Sequence, residues 1–228
     1  MLEVIYEDNH LIAVNKRAGD IVQGDKTGNE PLSEKVKTWL REKYNKPGEV
    51  FCGVIHRIDR PVSGVVVFAK TSKALSRMNQ LIQDRQICKK YWAIVRNAPP
   101  QPQGNLVHYL YKIEPKNKTI VSNTPKGEYL RAELNYSLVG SSQTLHLLEV
   151  ELITGRHHQI RSQLAAIGCP IKGDIKYGYR RTNPDASISL HARSVEFIHP
   201  VSQQPVYIAA HPPDDRIWNY FEKWDKID

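Results

Sequence analysis

Residues 54–68 read Val-Ile-His-Arg-Ile-Asp-Arg-Pro-Val-Ser-Gly-Val-Val-Val-Phe, and they concentrate the groups best suited to chemistry. Asp59 stands between Arg57 and Arg60, with His56 just ahead. A carboxylate crowded by cations at the mouth of a rigid element is where a fold holds an ionised acid for reaction. The Pro-Val-Ser-Gly turn at 61–64 leads into an unbroken apolar run, Val65 to Ala69, the pattern of a strand buried on both faces. Taken alone, R-x-D-R is more commonly a surface salt-bridge cluster on a turn. Its weight comes from the company it keeps.

Three other segments are comparably dense. In Lys89-Lys90-Tyr91-Trp92-Ala93-Ile94-Val95 an aromatic follows two lysines at a strand start. Tyr91 there is either core packing or a stacking platform for a base. Thr154-Gly155-Arg156-His157-His158-Gln159-Ile160-Arg161 reads as a donor-rich helix N-terminus, which favours an anion. Arg156 and His157 then fall close to the apolar stripe Ile160, Leu164 and Ile167, with Arg161 at its edge. A partly buried arginine there requires a carboxylate partner. Leu190-His191-Ala192 precedes a strand ending at His199-Pro200, and His191 is equally a core histidine or a ligand.

Several elements must position these groups. Residues 2–6 and 11–15 read as strands around an Asp-Asn turn, and Ser33–Asn45 as a helix capped by Ser33. A second helix, with Ser72 as its candidate N-cap, carries Leu75, Met78 and Leu81/Ile82. A strand follows at Tyr91–Arg96, and Asn97–Gly104, with three prolines, is a loop. Segments near 106–113, 119–122, 130–139 and 144–153 alternate as antiparallel strands. Lys112–Lys126 is basic and turn-rich, as expected of a mobile loop. A helix opens at Thr154-Gly155 and stops at Gly168 and Pro170. The tail 214–224 docks as a helix through Ile217, Phe221 and Trp224. No composition shift marks a linker, so 1–228 is expected to be a single α+β domain with a large, mostly antiparallel sheet.

Composition narrows the partners. Of 228 residues, 40% are hydrophobic and 25% charged, as in an ordinary globular protein. The net charge of +8 favours a polyanion. Cys52, Cys88 and Cys169 form no C-x-x-C pair, which suits apolar fillers in a reducing cytoplasm. Charges at Glu3, Glu7, Asp8 and Lys16 leave no room for a secretory h-region, and no stretch approaches a membrane span. The histidines fit no zinc spacing, so no metal is expected.

Taken in order, these segments resemble the RluA-type pseudouridine synthases over nearly the whole chain. The resemblance runs from Tyr6-Glu7-Asp8-Asn9-His10-Leu11-Ile12-Ala13-Val14-Asn15-Lys16, through His56-Arg57-Ile58-Asp59, the K-x-Y-x-A-x-V block at 89–95 and Gly155-Arg156-His157-His158-Gln159-Ile160-Arg161, to the terminal L-H-A and H-P elements. It implies the pseudouridine synthase fold: a long mixed, mainly antiparallel sheet with flanking helices and a central cleft. It also implies a catalytic Asp59, a Tyr91 packed against the target base, and Arg161 paired with the aspartate, Arg156 being the alternative. Arg57 by the same resemblance contacts the RNA around an extruded nucleotide, and His56, Arg60, Arg156, His157, Gln159 and His191 belong to the substrate-binding set. The chain departs from the family pattern at Val62, at Arg161-Ser162-Gln163 and at Lys16-Arg17. A catalytic domain without an N-terminal S4-like module is expected, acting as a cytoplasmic monomer on ribosomal or transfer RNA.

The implied reaction breaks N1–C1′, turns the uracil and rebonds through C5, so it needs no external group and no cofactor. Asp59 serves either as nucleophile or as base. A stacked uridine must first be flipped out, at a cost of a few kcal/mol. The basic segments Lys112–Lys126 and Tyr177–Thr182 suit the flanking phosphates. The alternative reading is a non-catalytic RNA-binding protein on the same fold.

Overall fold

The structure, a computed structural model, describes residues 2–24 and 28–224. In chain order its strands and helices are β1 (Val4–Glu7), β2 (Leu11–Lys16), α1 (Leu32–Lys43), β3 (Gly53–Val54), β4 (Ser63–Ala69), α2 (Ser72–Gln83), β5 (Cys88–Val95), β6 (Gln103–Ile113), β7 (Lys118–Ser122), β8 (Leu130–Ser141), β9 (His146–Leu152), α3 (Gln159–Ala166), β10 (Leu190–Ile198), β11 (Pro205–Ala209) and α4 (Arg216–Glu222). The chain forms two compact units, Met1–Lys89 with Ala192–Pro212, and Lys90–His191 with Pro213–Asp228. The expected α+β class with predominantly antiparallel strands is found.

In the first unit, β2 lies between β1 and β4, antiparallel to both, with Leu11 opposite Ala69 and Lys16 opposite Gly64. β4 is buried along its whole length and apolar from Val65 onward, as suits a strand covered on both faces. Val65, Val67 and Ala69 face Ala74 and Met78 of α2 together with Val195, Phe197 and Ile208. Val66 and Phe68 face Leu32, Val36 and Leu40 of α1. The strand therefore alternates between two hydrophobic clusters rather than between core and water.

Gly64 is needed where this strand begins. Its φ is +114°, and an added Cβ would lie 2.2 Å from the Ala192 carbonyl oxygen and 2.6 Å from its nitrogen. Backbone atoms cannot yield as a flexible side chain can, and a Cβ is also disfavoured at that φ. Gly64→Ala is therefore expected to cost about 3 kcal/mol or more. Urea unfolding checks it; an unchanged midpoint would contradict the close approach.

Two helix caps differ from expectation. Pro31, not Ser33, is the N-cap of α1, because the free N–H groups of Leu32 and Ser33 donate to the carbonyls of Ile21 (2.7 Å) and Val22 (3.2 Å). Backbone acceptors remove the need for a side-chain cap. Thr71, not Ser72, caps α2, its hydroxyl accepting from the Ala74 N–H at 3.1 Å.

The second unit is an antiparallel array in the order β5-β9-β8-β6-β7. Trp92 and Ile94 of β5 and Leu147 of β9 pack against Trp218 and Phe221 of α4. Trp218 is thus a principal anchor of the tail helix, alongside the expected Phe221 and Trp224. Lys112–Lys126 is not a free loop. Most of it is the end of β6, a 3-10 turn at Glu114–Lys116 and strand β7, joined through Asn117 at φ +43°. Among the described residues no helix is long and apolar enough to cross a membrane.

Candidate active site

In the first unit β3 ends at Val54, and the chain turns at Arg60–Pro61 before entering β4. The turn is closed by Val62 N–H donating to the Asp59 carbonyl at 3.0 Å. It is strapped from below by Lys16, only 1% exposed, which donates through Nζ to the carbonyls of Arg17 (2.9 Å) and Arg60 (3.1 Å). Burial brings the Lys16 ammonium down to about 8, while the charges of Asp20 and Asp59 work the other way. Gly19 ties in from the other side: its N–H donates to the Arg60 carbonyl at 2.8 Å, and its carbonyl accepts from Arg60 Nε at 3.0 Å. The half-buried Asp59 therefore stands on a braced turn with its backbone engaged. Arg57 is exposed and has no hydrogen bond or ion pair among the described residues. His56 points the other way, its Nε2 accepting from the Val67 N–H of β4 at 3.1 Å.

In the second unit Tyr91 is 7% exposed on β5, opposite Val150 of β9. The donor-rich segment 154–161 differs from its expected form. α3 begins only at Gln159, and His158 at its N-cap has φ +49°. Arg156 and His157 lie ahead of the helix in a turn. Gln159 builds that turn, because its Oε1 accepts from the Thr154 hydroxyl (2.8 Å) and the Arg156 N–H (2.9 Å) while its Nε2 donates to the Glu133 carbonyl (3.0 Å). Helix from Thr154 onward would lose all three bonds. Arg156 Nε donates to the Arg131 carbonyl at 3.2 Å. The His157 ring bridges Thr119 Oγ1 (2.8 Å) and Asn117 Oδ1 (2.9 Å). His191 is fully buried, with Trp218 edge-on to its ring.

Arg161 is 5% exposed, and a carboxylate that its geometry shows is one that the sequence did not point to. Arg161 donates through Nε (2.6 Å) and Nη2 (2.9 Å) to both oxygens of Asp174, itself 1% exposed. Its guanidinium also lies 5.2 Å from the Tyr177 ring centroid. Tyr177 is fixed in turn, its hydroxyl accepting from the Thr119 N–H (2.8 Å) and sharing a proton with His158 Nδ1 (2.8 Å). The bidentate geometry sets the plane of the guanidinium, which a single contact would leave free to rotate. Asp174, Tyr177, Thr119 and Lys16 were all missed as site-building residues. The signal for Asp174 and Tyr177 is the pair of glycines in Gly173-Asp174-Ile175-Lys176-Tyr177-Gly178, both at positive φ, which mark a shaped turn around an acid.

Two histidines give the protein an acid-sensitive stability. Burial, with Lys89 adding repulsion, takes His56 from 6.5 down to about 3. Burial, with Arg161 and His157 adding to it, takes His158 to about 2. Both are therefore neutral when folded, whereas the unfolded chain takes up protons below 6.5. Stability is complete above that pH and falls as pH drops from there toward 3, by at most about 1.4 kcal/mol per pH unit for each ring. Urea titrations from neutral to mildly acidic pH should show this loss, with a shallower slope in His158→Asn. An unchanged slope would place that ring in contact with solvent. Among the described residues no group of three His, Cys, Asp or Glu side chains is arranged to hold a metal ion.

Asp59, His56, Arg57 and Arg60 thus belong to the first unit, and Tyr91, Arg156, His157, Gln159, Arg161 and His191 to the second. The model of the RNA pseudouridylate synthase family matches residues 10–166, a span containing Asp59, Tyr91 and Arg161. A ribosomal large subunit pseudouridine synthase C from Buchnera aphidicola subsp. Baizongia pistaciae is 31% identical over 215 residues, covering 91% of this chain and 66% of the relative. The chain thus spans about two thirds of that relative's length. A tRNA pseudouridine synthase C from Vibrio vulnificus is 31% identical over 244 residues, covering 99% of this chain and 96% of the relative. Among solved structures, human RNA pseudouridylate synthase domain containing 4 shares the fold, with a TM-score of 0.80 at 22% identity over 97% of this chain and 92% of its own. With a family match over more than half its length and the motif residues inside that match, the chain belongs to the RNA pseudouridylate synthase family.

Proposed function

We propose that this protein converts specific uridines of ribosomal or transfer RNA to pseudouridine, with Asp59 as the catalytic carboxylate. The observation that carries the reading is the His-Arg-Ile-Asp block at 56–59 inside the family match. The isomerisation exchanges an N1–C1′ bond for a C5–C1′ bond within one nucleotide, and the C5 proton leaves as N1 gains one. One positioned carboxylate meets that demand, as nucleophile or as base. Tyr91, rigid on β5, is assigned to the target base, and Arg161, held in plane by Asp174, is assigned as the arginine that pairs with the catalytic aspartate. Arg57 has no partner among the described residues and is assigned to the RNA beside the extruded nucleotide. Arg60 and Arg156 are assigned the neighbouring backbone. His56, His157, Gln159 and His191, all engaged with the protein itself, act on substrate by shaping the walls. Residues 1–228 are read as one catalytic domain, working as a monomer in the cytoplasm.

The test is direct. Purified protein is incubated with ribosomal and transfer RNA from cells lacking its gene, and carbodiimide adducts that resist alkali are mapped. Adducts at discrete uridines are expected. RNA that binds but gains none would leave a binding protein on the same fold.

A further inference from the structure

The second unit has a cavity of about 310 Å³ that is lined by Arg96, Asn97, Pro170, Gly178, Tyr179 and Arg180, and not by Tyr91 or Arg161. That volume is at the lower end of ligand sites, which run from about 300 to 1,000 Å³. It suits one nucleotide. Both walls are preformed. On one side Val95 bridges to Ile171, the Lys172 N–H donates to the Ile94 carbonyl at 2.8 Å, and Asn97 Nδ2 donates to the Gly168 carbonyl at 2.7 Å. These bonds hold Arg96 and Asn97 against the segment that follows α3. On the other, Gly178 turns at φ +99° and the Tyr179 N–H donates to the Asp174 carbonyl at 3.0 Å, so Tyr179 and Arg180 leave a fixed turn.

The chemistry of the lining is one-sided. Two guanidinium groups line the cavity and no acid does. Neither Arg96 nor Arg180 has a carboxylate partner among the described residues. Planar forks of this kind bind phosphate through paired hydrogen bonds. Tyr179 supplies an aromatic face, Pro170 an apolar wall and Asn97 an amide.

We propose that this cavity is a subsite for one single-stranded nucleotide of the substrate RNA outside the isomerised uridine, its phosphodiester clamped by Arg96 and Arg180 and its base or sugar laid against Tyr179 and Pro170. Arg96 lies five residues beyond Tyr91 along extended chain, about 16 Å away. The subsite therefore takes a flanking nucleotide, never the target base. The inference rests on the reading that RNA is the substrate. It adds a position at which single-stranded structure is required.

The double variant Arg96→Gln/Arg180→Gln tests it in two arms. In the first, binding of a mixed-sequence single-stranded oligoribonucleotide is measured across salt concentrations. Affinity should fall roughly tenfold, and the slope of log K against log salt should become shallower by about 1.4, the counterions of two lost contacts. In the second, KM for the modified RNA should rise by a similar factor with kcat within about twofold. Arg96→Lys/Arg180→Lys should recover the salt slope and only part of the affinity. Unchanged affinity and slope, or a loss confined to kcat, would overturn the subsite. So would uridine monophosphate that binds alone as tightly as the oligonucleotide and loses that binding in the double variant, since the pocket would then serve a free nucleotide. The binding arm reports even if the wild-type protein makes no pseudouridine, so failure of the catalytic reading is seen separately. A thermal melt of each variant excludes misfolding as the cause.

Discussion

Asp59→Asn is expected to reduce pseudouridine formation by roughly four to six orders of magnitude, as removal of an essential reacting group does. The amide keeps the shape of the carboxylate. The turn also survives, because Val62 binds the Asp59 backbone carbonyl and Lys16 holds the carbonyls of Arg17 and Arg60. Unfolding free energy should therefore stay within about 1 kcal/mol of the parent, the ordinary range for losing a partly exposed charge contact. RNA affinity should be retained. Single-turnover kinetics with filter binding on the same preparation separates the two quantities. Turnover retained in the variant would remove Asp59 from the reaction.

Substitution of Asp174 is expected to damage stability and activity together. Asp174 and Arg161 are both almost wholly buried and joined by two hydrogen bonds. Removing one member of such a pair costs about 3 to 5 kcal/mol, because a desolvated charge loses its partner. For a chain of this size that lowers the melting temperature by roughly 10 °C. Asp174→Ala should therefore melt far earlier than the parent and lose most activity as the Arg161 plane is released. The double variant Arg161→Met/Asp174→Leu removes both charges, and it should regain much of the stability but none of the activity. A cycle in which the two changes simply add would contradict the pairing. Recovery of activity in the double variant would show that Arg161 is structural.

What could be read from the sequence was what is local. The run Val65–Phe68 announced a strand covered on both faces, and alternate residues do go to two clusters. Asp59 and its neighbours could be singled out because a carboxylate among arginines ahead of a rigid strand is a pattern a few residues long. The start of α3 could not be read the same way. Gln159 spends its side chain on the turn before it, and His158 takes a left-handed conformation that residue type alone does not require. The hairpin within Lys112–Lys126 was hidden for a related reason. Its anchors are Tyr177 and His157, dozens of residues onward, holding Thr119. The glycines around Asp174 mark a turn, but they do not show the buried arginine it serves, which is located only in space.

Pseudouridine mapping of total RNA, from cells lacking the gene and from the same cells carrying either the parent gene or Asp59→Asn, tests the central claim most directly. The account predicts that one or a few pseudouridines vanish with the gene, return with the parent and stay absent with Asp59→Asn at equal protein level. Identical maps in all the strains, or restoration by Asp59→Asn, would contradict it.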